Sequence, residues 1–431
     1  MSLATALRQR TAATAPRHDR RDRGARPRAA APPIEHRLLM TATLCLLAFG
    51  AVMVYSASSP PGVLSGQGLG TGTFIRYVLF AAVGLVAMQI LSRRGLALLD
   101  ERALRVFLIG SCALLMLVLV PGLGREVNGA RRWFAAGPIE FQPSELVKLA
   151  LVLYAARYLA DHPKRIGPRL LPLITPIAVV AGPACLLIVL EPDMGTALVI
   201  AFTLGALLLA AGIPPRQLAL LAAVGGVVAL LFVLAEPYQR ARLESFLHPW
   251  SSKSTTGFQA VQGQIALGSG GVFGDGLGRS VQKIFYLPEA PTDFILAVIG
   301  EELGVVGIGL VAVLYGLLGY AGFRTARRAH DRYAKLLASG LTSLILCQGV
   351  MNIFVVLGLM PLTGVPLPFI SYAPTNLCVM LASVGLLLNI ARPRRRLTVV
   401  EAPRSDTDRD RRWRDRRARR ARDSGRRRAA S

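Results

Sequence analysis

Acidic side chains are scarce in this chain: 25 Asp and Glu stand against 50 Lys and Arg among 431 residues, a formal net charge of +25. Spread over a folded surface, that excess would point to nucleic acid. Its placement points elsewhere, because residues 1–37 hold nine Arg against three acids and residues 392–431 hold seventeen Arg against six, so the two tails carry 17 of the 25 charges. The tails have almost no aliphatic periodicity and no aromatics but Trp413, which excludes both a buried core and a base-stacking platform. They read as disordered cytoplasmic tails lying against anionic lipid, with no nucleic-acid partner. Histidine and cysteine are scarce too, five of each. His18, His36, His162, His248 and His330 show no ligand spacing, which argues against zinc or haem. Cys45, Cys112, Cys185, Cys347 and Cys378 all fall in apolar runs, which excludes an extracellular disulfide framework. No small-residue cleavage site follows the first apolar run, so that run reads as a retained start-transfer helix.

Apolar runs are what the chain has in plenty: 53% of its residues are hydrophobic, and the runs approach the length needed to cross a hydrocarbon core of about 30 Å. The expectation is an all-α integral membrane protein with ten transmembrane helices over residues 38–391, beginning near Leu38, Phe74, Leu104, Pro143, Leu171, Gly195, Gln217, Phe294, Leu336 and Tyr372. Tails at 1–37 and 392–431 flank it, and a long extracytoplasmic loop occupies 236–292. An even count puts both termini on one side, and the Arg-rich tails make that side the cytoplasm. Arg93, Arg94, Arg102 and Arg105, then Lys164, Arg165 and Arg169, then Arg324, Arg327, Arg328, Arg332 and Lys335 fall on the same side. Arg131, Arg132, Arg240 and Arg242 break the bias on the outer side. They either pair with acids and helix ends or bind an anion.

Several residues could carry chemistry. Glu145 and Lys148, at i and i+3 just inside the helix that Pro143 opens, make either a structural ion pair or a phosphate-holding cation with its orienting acid. Trp133 reads as an interfacial anchor. Asp293 precedes the eighth span and reads as an N-cap or as a catalytic carboxylate. Glu301 and Glu302 lie about 12 Å deeper, where acids need partners or a function. The glycine-rich stretch GSGGVFGDGLG is a weak candidate for a phosphate loop, since no strand precedes it. The apolar residues around it suggest a loop folded back on the membrane as short helices.

The segments NGARRWF, GPIEFQPSELVKLALVLY, LEPDMGTALVI, FLHPW, GFQAVQGQIALGSGGVFGDGLGRSVQKIFYLPEAPTDFILAVIGEELG and GLMPLTGVPLPFISY together resemble, in order and spacing, the SEDS family of FtsW, RodA and SpoVE proteins. Glu191 in LEPD and Ala290 in LPEA look most like the FtsW branch. The resemblance implies a peptidoglycan glycosyltransferase that polymerises lipid II for septal wall synthesis in the bacterial cytoplasmic membrane, alongside a class B penicillin-binding protein and other divisome proteins. It implies Asp293 as the essential catalytic residue, and Arg132, Glu145, Lys148, Glu289, Glu301, Glu302 and Ser371 as residues of the substrate cavity. A divalent cation, Mg or Mn, would be the one cofactor. Two departures stand out: Ala373-Pro374-Thr375-Asn376 where the family usually has Gly-Gly-Ser-Ser, and Pro291 where a His is common. Three functions stay open: the polymerase, in an FtsW-like, RodA-like or sporulation role; a lipid II flippase working through Glu301, Glu302 and Lys148; and a non-catalytic divisome scaffold.

Overall fold

The computed structural model describes residues 33–64, 71–127, 130–137, 139–163, 171–252, 257–284, 286–392 and 413–417. Met1–Arg392 and Pro393–Ser431 are separate compact units. Of the second, a helical turn at 413–417 is described, in which the Arg417 guanidinium lies 4.3 Å from the Trp413 ring centroid. The disordered tails expected at 1–37 and 392–431 otherwise fall outside the described residues, and Glu35 to Arg37 belong to the first turns of the first helix.

Helices form at all ten expected positions: α1 (Ile34–Leu64), α2 (Thr71–Leu98), α3 (Glu101–Val118), α4 (Pro143–Asp161), α5 (Leu171–Leu190), α6 (Met194–Ala211), α7 (Pro215–Ala235), α10 (Ile295–Arg328), α11 (Arg332–Val356) and α12 (Pro374–Ala391). Two more, α8 (Pro237–Leu247) and α9 (Phe258–Ser269), occupy the long loop. The expectation of ten transmembrane helices is nevertheless wrong. Among the described residues seven helices, α1, α2, α6, α7, α10, α11 and α12, are long and apolar enough to cross a membrane. The other three fail for identifiable reasons. Helix α3 spends its first turns on Glu101, Arg102 and Arg105. Helix α4 carries Glu145, Lys148, Arg157 and Asp161, and is a core helix with most of its residues buried by protein. Helix α5 runs through Pro176 and Pro183, and its apolar part, Ile174–Leu190, is shorter than the helices that qualify. The even count that placed both termini on one side falls with the ten spans.

The helices pack so that one end of the bundle is basic. Glu35 at the start of α1 is buried and ion-paired with Arg324 and Arg328 at the end of α10, at 2.6 and 2.5 Å. Nearby, Asn389 of α12 donates to Ser92 O of α2 at 3.0 Å. Among the described residues, helices α2 and α12 make the most extensive helix pair. Leu381 and Leu386 fill the space that side chains at Gly84 and Gly95 would occupy. Helix α7 is the opposite case: it is apolar along most of its length and no residue of it is fully buried, as suits a helix whose faces meet mostly lipid.

The other end carries a three-stranded antiparallel sheet in the order β1 (Arg125–Val127), β2 (Ala130–Ala136), β3 (Ile139–Phe141), with Arg125 opposite Trp133 and Phe134 opposite Phe141. This sheet was not expected, although Asn128-Gly129 is a strong two-residue hairpin signal.

Helix α10 is broken. Gly304 sits at φ 65°, ψ −160°, a conformation open to glycine, about 14 Å into the helix. The break frees backbone groups that lipid could not satisfy, and the glycine run of the long loop takes them up. Asp275 N donates to Glu301 O and Gly276 N to Glu302 O, both at 3.0 Å. In return Val305 N donates to Gly271 O at 3.1 Å and Val306 N to Val272 O at 3.2 Å. A Cβ at Gly270 or Gly274 would collide with the α10 backbone. The run is therefore a re-entrant segment, and the Asp275 and Gly276 amides it would have offered a phosphate are spent on α10.

Candidate functional site

Asp293 lies in a tight turn ahead of α10. Glu289, at φ 54°, turns its carbonyl to accept from Thr292 N at 3.1 Å and Phe294 N at 3.3 Å. That turn makes Phe294 the cap residue of α10, with no side-chain cap bond, so the N-cap reading of Asp293 fails and its carboxylate is left to the site. The Thr292 hydroxyl lies 3.2 Å from Asp293 Oδ1 and 2.8 Å from Glu289 Oε2. Asn352 of α11 fixes the backbone from behind, its Nδ2 donating to Asp293 O at 2.7 Å and Val365 O at 2.8 Å. Tyr372 N, in the FISY turn, donates to Pro291 O at 2.9 Å. Asp293 is half-buried, and no Lys or Arg among the described residues forms an ion pair with it. Burial, and then the Glu289 carboxylate, push its pKa up to about 7 against hydrogen bonds and the more distant Arg242.

Glu145 and Lys148 form a closed network beneath this turn. Lys148 Nζ donates to Glu145 Oε1 at 2.7 Å and to Gln348 Oε1 at 2.9 Å, and both ionic side chains are almost wholly buried. Asn376 Nδ2 donates to the other Glu145 oxygen at 2.7 Å, and Thr375 Oγ1 accepts from Gln142 N at 3.1 Å. The unusual Ala373–Asn376 segment thus docks α12 onto the start of α4. Gln348 and Asn352, one turn apart on α11, connect the two layers, since Gln348 Nε2 donates to Pro366 O at 3.0 Å. Ser371 is buried, and its hydroxyl accepts from Leu367 N at 2.9 Å within its own turn.

Glu301 and Glu302 are engaged elsewhere. Glu301 accepts from the Ser280 hydroxyl at 2.5 Å, Val281 N at 2.8 Å and Gln282 N at 3.3 Å. Glu302 accepts from Lys283 Nζ at 2.5 Å and from the Ser56 hydroxyl of α1 at 2.7 Å. Two adjacent acids clamp Ser280–Lys283, the segment that leads into the Asp293 turn.

Arg132 on β2 stands apart from Asp293. Its Nε and Nη2 donate to the carbonyls of Glu191 and Pro192 at 2.7 and 2.5 Å, tying the sheet to the α5–α6 turn. Glu191 is buried there with neither carboxyl oxygen hydrogen-bonded. Burial and then Asp193 hold its pKa up at about 9, against Arg132. Arg242 on α8, one of the outer-side arginines but absent from the expected cavity set, is the cation that Asp293 feels. Only its sign against the loop bias marked it in the sequence.

Among the described residues no three His, Cys, Asp or Glu side chains gather to hold a metal. The oxygen donors of Asp293, Glu289 and Thr292 would suit a hard divalent cation only if substrate oxygens completed its shell.

The chain is similar to known proteins over most of its length. The family profile described as a cell cycle protein, FtsW/RodA/SpoVE, matches residues 36–396. Stage V sporulation protein E of Bacillus subtilis (strain 168) is 40% identical over 82% of this chain and 96% of its own. The probable peptidoglycan glycosyltransferase FtsW of Coxiella burnetii is also 40% identical, over 82% of this chain and 95% of its own. Among solved structures, the rod shape determining protein RodA of Thermus thermophilus matches with TM-score 0.59 at 30% identity, covering 85% of this chain and 98% of that one. A chain from a peptidoglycan synthase complex matches with TM-score 0.67 at 30% identity, covering 84% and 98%. Matched from the first turn of α1 to just past the end of α12, this multi-pass membrane chain belongs to the FtsW/RodA/SpoVE family.

Proposed function

We propose that the chain is a peptidoglycan glycosyltransferase that joins lipid II units into glycan strands, with Asp293 as general base. The observation that carries this reading is the carboxylate of Asp293: half-buried, relieved of capping, bound by no cation, and poised near neutrality, as a base working at physiological pH should be. The relatives named as probable peptidoglycan glycosyltransferases supply the reaction class.

In the proposed step the acceptor sugar's 4-hydroxyl oxygen attacks the anomeric carbon of the growing strand. The bond from that carbon to the pyrophosphate oxygen breaks with inversion, undecaprenyl pyrophosphate leaves, and Asp293 takes the hydroxyl proton. The leaving group needs positive charge rather than a protonating acid, so a single carboxylate suffices, unlike the pair in glycosidases. Thr292 and Asn352 orient the base. If a divalent cation is required, Asp293 and Glu289 would hold it, and it would neutralise pyrophosphate charge. The Glu145–Lys148–Asn376 network is the floor on which α4, α11 and α12 are set.

The arginine end of the bundle is assigned to the cytoplasm on the positive-inside bias, which puts Asp293 at the extracytoplasmic face. A class B penicillin-binding protein is proposed as partner, by analogy with the related chain from a synthase complex. FtsW and SpoVE relatives together favour septal or sporulation wall over elongation. The flippase alternative loses its working parts, because Glu301 and Glu302 are bound to the loop, Lys283 and Ser56 instead of lining an open path.

The test is synthesis of glycan strands from labelled lipid II by the purified protein with its transpeptidase. Wild type should give polymer and Asp293→Asn none. Polymer from the Asn variant at wild-type rate would refute the base assignment. A wild type that gives none where a related synthase succeeds would favour scaffolding.

A further inference from the structure

Most cations at the sheet end are already committed. Arg125 bonds Glu140 at 2.6 Å and Arg131 bonds Glu126 at 3.0 Å. Arg132 is held by two carbonyls, and Lys148 and Lys283 are buried against Glu145 and Glu302. Arg242 differs. It is half-buried on α8, its Nη1 donates to Leu362 O at 3.0 Å, and its guanidinium lies 4.7 Å from the Tyr238 ring centroid. No carboxylate among the described residues forms an ion pair with it. A guanidinium has five N–H donors, so most of this fork is uncommitted.

Its position relative to the base is set by one short segment. Leu362, which anchors Arg242, is two residues from Gly364, where a Cβ would lie 3.8 Å from Asp293 Oδ2. Between them Thr363 is buried, with a hydroxyl that has no hydrogen-bond partner. Arg242 and Asp293 therefore flank Leu362–Gly364 with opposite charges that do not neutralise each other. Two opposed charges kept near but apart suit a ligand with a neutral hydroxyl at one end and an anion at the other.

We propose that Arg242 is a substrate-binding residue that receives a pyrophosphate-class anion beside Asp293. The identity of that anion as the leaving group of a sugar donor rests on the glycosyltransferase reading; the anion site itself does not. A planar fork already stacked on Tyr238 grips two phosphate oxygens at little cost in order. As the sugar–oxygen bond breaks, negative charge builds on those oxygens, and a fixed guanidinium stabilises that state more than the ground state.

Binding of inorganic pyrophosphate to the full chain in detergent, measured by calorimetry, tests the site apart from the reaction. Asp293→Asn, which removes a like charge beside the anion, should bind at least as tightly as wild type. Arg242→Gln should bind roughly 10- to 100-fold more weakly, as expected for losing a charge-assisted pair, while Arg240→Gln, an exposed neighbour, should not change. In polymerisation Arg242→Gln should lose a similar factor in kcat/KM, and its activity midpoint should move to higher pH because a cation near the base is gone. Should Arg242→Gln fail to fold, Arg242→Lys keeps the charge without the fork and should still weaken binding. Unchanged pyrophosphate affinity in a folded Arg242 variant, or an equal loss in Arg240→Gln, overturns the proposal. Binding that depends on Arg242 without any polymer would overturn the glycosyltransferase reading and leave this site standing.

Discussion

Asp293 is a carboxylate held where its charge is unwelcome, and that has two consequences. With its pKa pushed up to about 7, a reaction that needs the ionised form should gain rate as pH rises through 7 and level off above it. A rate flat from pH 5 to 8 would count against it. The second consequence is for stability. A folded-state pKa above the unfolded value means the folded chain binds protons more tightly, so this group destabilises the fold increasingly as pH rises from about 4 to 7. Asp293→Asn should therefore be more stable than wild type at pH 8 by about 1–3 kcal/mol, read as a higher melting point, and show no gain at pH 4. A lower melting point at pH 8 would mean the carboxylate is structural. The family resemblance singled out Asp293, in LPEAPTD, and the spacing announced the Glu145–Lys148 pair. It could not announce that Glu289 would adopt a positive φ and move the cap to Phe294, since Thr-Asp before an apolar run is what a real cap looks like. Nor could spacing show that Arg132 grips a turn while Arg242 approaches the base, because each has a second arginine close by in sequence.

At the level of the elements, α10 and the glycine run are one object. The apolar pattern of α10, interrupted only by Glu301 and Glu302, reads as a continuous helix, and the loop's glycines show that something must approach its backbone. Adding a Cβ at Gly274 would press on the Glu302 backbone, and a left-handed residue there or at Gly304 tolerates no side chain cheaply. Gly304→Val should cost several kcal/mol, lower the melting point and abolish polymer. The exposed Gly309→Val, five residues on, should be nearly silent on packing grounds. Equal effects at the two sites would mean the break is dispensable. The three-stranded sheet escaped the sequence for a different reason: strands of three, seven and three residues are too short for alternation to show.

At the scale of the molecule, ten apolar stretches were legible but their solvent was not. A helix buried in protein can carry Glu145 and Lys148, while one facing lipid cannot, and periodicity alone does not tell which neighbour a face will meet. The contrast between α7 and α11 makes this testable. Leu341 of α11 is 0% exposed and Leu231 of α7 is 62% exposed. Leu341→Ala should cost about 2–5 kcal/mol, read as a lower melting temperature in detergent, and Leu231→Ala should cost almost nothing. Comparable losses would place α7 inside a protein interface.

The pairing of α2 with α12 has a consequence for how the chain is made. The surface of α2 that receives Leu381 and Leu386 is synthesised nearly three hundred residues before its partner leaves the ribosome. Throughout that interval the early helices must wait in the bilayer with an unfilled seam, held by the insertion machinery or by lipid. Closure of the bundle is therefore a late, long-range event. A chain stopped before Pro374 should be recognised and degraded as unfinished, however well its earlier spans have inserted.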